Sequence, residues 1–265
     1  MSDRCCLWVA VILYAAASAL TARRLQRGLA AGTLHHINVA LMVAGFLMHT
    51  LAMLWRGTHL GRCPLTNLFE VQIFLAWSAV FFYLLIGSSY RVSFLGAFTA
   101  PLVLVMLLTA LLAPVDVAAP TPKKHSAWVE THAAIGILAC GALALACVVG
   151  VMYLVQERQL KSGRPGRLMR VLPAVDQLDV IGFRLLLVGF ALLTVGMIGG
   201  AISQRLVEPW PWSKTAWAAL VWCLYGVLVA GRLSDRWRGR KAACGAIAVF
   251  LFTLVSFWGA CWLAR

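Results

Sequence analysis

Apolar residues in this chain come in long unbroken blocks, separated by short polar punctuation. Eight blocks stand out, at roughly 5–21, 35–55, 68–88, 92–113, 131–155, 183–202, 215–232 and 242–263. Each approaches the ~20 residues that carry an α-helix across a bilayer's hydrocarbon core. The pattern predicts an all-α fold: a polytopic transmembrane helix bundle of about eight spans, forming a single integral membrane domain over 1–265. The longest connection, 156–182, leaves no room for a soluble domain between spans.

The punctuation carries local signals. QERQLKSGRPGRLMRVLPAVDQLD (156–179) predicts that the fifth helix continues briefly and breaks at Ser162-Gly163 and Pro165, before a basic stretch along the membrane surface. In RCPLTNLFEVQ, Asn67 reads as a helix N-cap with Glu70 at the reciprocal capping-box position. The outer loop 203–214 contains EPWPW, where prolines alternate with Trp210 and Trp212 and exclude a helix interior; Trp217 follows as the next span begins.

Composition strengthens the membrane reading. The chain is 62% hydrophobic and 12% charged, against about 25% charged in an average soluble domain. The net charge of +14 describes topology and contact with anionic lipid, not nucleic-acid binding. Of the 23 lysines and arginines, fifteen fall on one set of loops and eight on the other set with the termini. The positive-inside rule places the fifteen in the cytoplasm and both termini outside. The first span is expected to remain as a helix, because Arg23-Arg24 flank it as a stop-transfer signal and no small-x-small cleavage site precedes a polar region.

Candidate chemistry is sparse. Eight cysteines include no CxxC pair, and Cys140 and Cys147, two helical turns apart, read as small buried apolar residues. No nucleophile–histidine–acid set, HExxH or phosphate loop is present, which argues against a hydrolase. Intramembrane ionisable groups are functional candidates. His49 lies inside the second block, either donating to a carbonyl of a neighbouring helix or ligating a metal or porphyrin. His132, opening the fifth block on the outer side, suits either an interfacial anchor or an axial haem ligand. His35, His36, His59 and His125 fall at interfaces or in loops, where solvation explains them.

Tryptophans favour membrane interfaces, which accounts for Trp55, Trp128 and Trp237. Trp210 and Trp212, held by prolines, offer a flat apolar surface suited to a flat ligand such as haem.

Three stretches carry a resemblance. RCPLTNLFEVQIFLAW (62–77), THAAIGILACGALALACVVGVMYLVQERQLK (131–161) and PWPWSKTAWAALVWCLYGVLVAGR (209–232) occur in the order found in the CcsA/ResC/HemX group of haem-handling cytochrome c assembly membrane proteins, including the YpjD-like branch. RWRGRKAA (236–243) is similar to the basic turn of the HemX and YpjD-type branch. The resemblance covers the chain from about residue 40. It implies that His132 is an axial ligand on the outer side, that Trp210, Trp212 and Trp217 belong to a tryptophan-rich haem-facing segment, and that His49 serves a second, internal site. It further implies an inner (cytoplasmic) membrane location, haem as a transient ligand, and a ResB-type assembly protein or apocytochrome c as partners.

The departures are specific. Ser213 and Lys214 follow Trp212 where the family carries acidic residues, Ala230 stands where assembly members have a histidine, and the chain ends FWGACWLAR without a second outer histidine. These features favour an accessory or degenerate member that presents haem without catalysing its attachment, haem ligation being possible only with a partner. The alternative is a HemX-like regulator of haem-biosynthesis enzyme levels acting through the basic loops. A solute transporter would use Gly196, Gly199 and Gly200 to loosen the sixth span, with Pro101 interrupting the fourth, but no charged cluster marks a midplane site.

Overall fold

In lipid, each backbone polar group must be satisfied within its own segment, so apolar blocks of this length become helices. The computed structural model describes residues 2–27, 33–90, 95–113, 116, 127–163, 173–206 and 212–263. Among them are eight helices: α1 (Asp3–Arg27), α2 (Thr33–Leu60), α3 (Leu68–Tyr90), α4 (Leu95–Leu112), α5 (Ala127–Lys161), α6 (Val175–Leu206), α7 (Trp212–Leu233) and α8 (Arg240–Leu263). Among the described residues, six are long and apolar enough to cross a membrane: α1, α2, α3, α5, α6 and α7. The apolar part of α4, Phe98–Leu112, is shorter, and Pro101 lies inside that helix.

The helices outrun the apolar blocks at several ends. α5 extends to Lys161 and stops where expected, with Gly163 in the left-handed conformation at φ 63°. α6 reaches Leu206, so the outer loop expected at 203–214 begins later, and α7 already starts at Trp212. The proposed surface stretch after Gly163 lies largely outside the described residues.

Two compact units divide the chain. The first contains α1–α4 and the second α5–α8. In the first, α1 packs on α2 and α4, and α3 packs on α2 and α4, which closes a ring of four helices. At one end of α1, Arg24 is 1% exposed. It sits one turn beyond Thr21, whose hydroxyl donates to Asn38 of α2 at 3.2 Å. A residue that reads in sequence as part of a stop-transfer flank is thus buried.

In the second unit, close approach is bought by glycine. Gly182, Gly189 and Gly196 recur every seven residues on α6 and face Val149, Leu143 and Gly136 of α5. A Cβ on Gly189 would sit 2.6 Å from Leu143 Cδ2, and one on Gly150 would sit 3.1 Å from the Ala243 carbonyl of α8. Small residues at such seams let transmembrane helices associate by packing alone. Leu143 belongs to the core formed with Leu186, Val221, Tyr225, Leu228 and Val229. Gly189→Val is therefore expected to destabilise the protein by about 1–3 kcal/mol, the usual cost of overpacking a filled core. A fall in the thermal unfolding midpoint in detergent checks this; an unchanged midpoint refutes the seam.

Candidate functional site

One end of the second unit is built around His132, one and a half turns into α5. Its Nδ1–H donates to the Gly196 carbonyl of α6 at 2.6 Å. Because a carbonyl only accepts, Nδ1 carries the proton and the ring's lone pair resides on Nε2. The ring lies against a second glycine: a Cβ on Gly200 would come within 2.8 Å of Cε1 and 3.0 Å of Nδ1. Gly199 backs the His132 Cβ at 3.8 Å. Gly196, Gly199 and Gly200 therefore do not loosen α6 as in the transporter reading. They form a smooth face on which one imidazole is docked and its tautomer set. Ser203 continues that face one turn further, fully buried, with no hydrogen-bond partner for its hydroxyl among the described residues. The signal was present in the sequence as the spacing 196, 199/200, 203, which is one stripe of a helix.

The tryptophans separate. Trp212 opens α7 and is 82% exposed. Trp217 packs on the unit's core and spends its indole N–H on Ser256 of α8 at 2.8 Å. Trp222, one turn on, donates to Thr194 at 2.9 Å and stacks on Phe190. Trp210 lies outside the described residues. Exposed Lys214 and Arg205 stand at this same end of α7 and α6.

His49 lies in the first unit, fully buried in α2. It meets the edge of Tyr14 at 6.4 Å between ring centroids and faces the Ile73 carbonyl of α3. Neither ring nitrogen, nor the Tyr14 hydroxyl, reaches a hydrogen-bond partner among the described residues. Gly45, one turn before His49, makes room for the Tyr14 ring: a Cβ there would sit 2.7 Å from Cε1.

One end of the first unit contains what sequence reasoning missed. Arg56, at the end of α2, contacts Asp3 of α1 at 2.9 Å, Glu70 of α3 at 3.1 Å and Asp116 beyond α4 at 2.5 Å. Arg62 adds a bond to Glu70 at 3.0 Å, and Arg4 one to Asp116 at 3.0 Å. The guanidinium of Arg56 lies over the Phe69 ring at 4.7 Å. Asn67 caps α3 as expected, accepting from the Glu70 N–H at 2.8 Å. Glu70 does not close the box on Asn67. It accepts instead from the Thr66 N–H at 2.8 Å and the Thr66 hydroxyl at 3.1 Å, and its carboxylate is fully buried against the two arginines. Burial alone would raise the Asp116 carboxyl, but hydrogen bonds from Arg56 and Arg4 outweigh it and hold it below the usual carboxylate range. No group of three or more histidine, cysteine or acidic side chains is placed to hold a metal among the described residues.

The description "Cytochrome C assembly protein" belongs to the family model that matches residues 65–265. The chain belongs to this family. Among its relatives is the cytochrome c biogenesis protein CcsA of Synechococcus sp. (strain RCC307), 30% identical over 83% of this chain and 79% of that protein. The CcsA proteins of Prochlorococcus marinus (strain MIT 9301) and Chlorella vulgaris are 28% and 29% identical, over 80% and 79% of this chain and 77% and 78% of their own lengths. The family match contains α5 with His132, the glycine face of α6 and all of α7. The regulatory HemX-like alternative draws no support from these relatives.

Proposed function

We propose that this protein serves cytochrome c assembly by binding or presenting haem at the outer membrane face, as an accessory or degenerate member of its family. The observation that carries the reading is the His132 tautomer. Histidines that ligate metals donate their other ring N–H to a carbonyl or carboxylate, which fixes the ring and raises its basicity; His132 has that arrangement with Gly196. The donor chemistry fits haem iron, which when bound accepts an imidazole lone pair as an axial ligand. Trp212 offers a flat apolar surface at the start of α7, with Trp210 two residues before it in the sequence, and Trp217 anchors that helix start to α8. Lys214, where the family carries acid, and Arg205, at the end of α6, suit the carboxylates at the porphyrin edge.

On this reading the protein positions haem and does not itself form the covalent attachment; a ResB-type partner or apocytochrome c completes the ligand set. His49, buried beside Tyr14, serves the internal site. The chain lies in the inner (cytoplasmic) membrane with the fifteen-cation side in the cytoplasm and both termini outside.

An absorption spectrum of the purified protein titrated with haemin tests this. A Soret band that shifts or disappears in His132→Ala is expected. A wild type that gives no bound-haem band, or a band unchanged in His132→Ala, overturns the reading.

A further inference from the structure

The other end of the second unit holds a cleft that the haem site does not use. It starts at Tyr153, 21 residues along α5 from His132, or about 30 Å on a helix. The cleft, open on one side, lies between α5, α6, the end of α7 and the start of α8. Its walls follow one plan on three helices. Each strip begins at the bundle end with a polar or turn residue, Tyr153, Asp179 or Gly239, and runs seven residues to Ala146, Leu186 or Ala246. Each strip is about 10 Å long on a helix. The deep walls are alanine, glycine, valine and leucine; the polar groups are confined to the mouth.

Arg232 defines that mouth. Its side chain is 10% exposed. Nη2 is paired with Asp179, whose other oxygen accepts the Gly239 N–H at 3.1 Å, so the carboxylate is occupied on both sides. The guanidinium lies 5.3 Å from the Phe183 centroid, which holds its plane. Nη1 is buried and has no partner among the described residues. A buried charged donor left unsatisfied is costly and calls for an acceptor. The adjacent turn adds exposed Arg236, Arg238, Arg240 and Lys241. Among the described residues, Arg238 alone of these pairs locally, with Asp235.

We propose that this cleft seats one anionic phospholipid, with an acyl chain against the small-residue walls and its phosphate at Arg232 Nη1. Charge complementarity selects this occupant. The positive turn favours a net-negative headgroup and disfavours the trimethylammonium of a zwitterionic one, while basic pockets between helices at the cytoplasmic interface are suited to such lipids. A free phosphate would satisfy Nη1 but leave the apolar groove unfilled.

Native mass spectrometry of the full-length protein, in detergent holding equal amounts of dioleoyl phosphatidylglycerol and dioleoyl phosphatidylcholine, tests the site. The wild type is expected to retain a one-lipid adduct favouring phosphatidylglycerol about tenfold, a preference of ~1.4 kcal/mol. Arg232→Gln is expected to abolish the preference. Ala246→Phe, which fills the groove and leaves every charge in place, is expected to remove the adduct. Ala242→Leu at the half-buried mouth is the milder variant should Ala246→Phe lose helix content. Equal retention of both lipids by the wild type overturns the proposal. So does phosphatidylglycerol retained undiminished by a folded groove-filled variant, which would assign it to the surface charges of the turn. Glycerol 3-phosphate competing as well as the lipid would assign a headgroup site without a chain, and also overturns it. None of these readouts involves haem.

Discussion

Gly200→Ala is expected to weaken haem binding by about 10–100-fold, the range found when a group that orients a metal ligand is disturbed, while leaving helix content and unfolding midpoint close to wild type. The added methyl would meet His132 Cε1 at 2.8 Å and Nδ1 at 3.0 Å. Both atoms belong to the end of a side chain, so the collision is relieved by swinging the ring and not by separating the helices. The swing breaks the 2.6 Å bond to the Gly196 carbonyl, and with it the fixed tautomer. Haemin titration read at the Soret maximum gives the affinity. Gly136→Ala is the control, since a Cβ there meets nothing within 4 Å. Equal haem affinity in Gly200→Ala and Gly136→Ala would show that the glycine face does not position the ligand.

Loss of the Arg56 guanidinium is expected to cost more in stability than any other single change in its ion-pair network. One side chain on α2 ties α1 through Asp3, α3 through Glu70 and the segment after α4 through Asp116. Arg56→Ala leaves the fully buried Glu70 carboxylate with Arg62 as its one cation beside the Thr66 bonds, and leaves Asp116 with Arg4 and Asn67. Breaking buried ion pairs from one side costs about 3–5 kcal/mol; Arg62 and the 14% exposure of Arg56 place the expectation near the lower bound. Arg56→Lys keeps the charge but not the fork that reaches three carboxylates, so an intermediate loss is expected. Thermal unfolding in detergent measures both, and a change within error for Arg56→Ala would mean that the network contributes nothing.

The same network sets an acid limit. The folded-state pKa of Asp116 is depressed. Its contribution is therefore fully present above the unfolded carboxylate value, about 3.9, and is lost as the pH falls through the lower folded value. Asp116→Asn is expected to be less stable than wild type at neutral pH and to show a shallower decline below about pH 4.

How much of this was legible beforehand differs by feature. The helices were readable because a bilayer allows few alternatives to a helix for an unbroken apolar block. The Asn67 cap and the stop at Gly163 were readable because both are written in adjacent residues. The partner of Glu70 was not: the carboxylate turns to Thr66 and two arginines, 8 and 14 residues away, and no local rule ranks those against the capping box. Arg56, Arg62 and Asp116 looked like loop charges because sequence shows their sign and not their separation. Trp217 looked like a porphyrin contact, and the structure gives its N–H to Ser256, 39 residues on.

The sequence by itself determined an all-helical membrane protein, because transfer of uninterrupted apolar surface into lipid is a sum over local residues and needs no knowledge of partners. It also determined which histidine opens α5, and the order of motifs that carries the family resemblance. Only the tertiary structure decided that Gly196 and Gly200 hold His132, that Arg56 ties three helices to the segment after α4, and that Arg232 faces a groove. Each of these depends on distances between segments remote in the chain, where a difference of one ångström separates a hydrogen bond from a void.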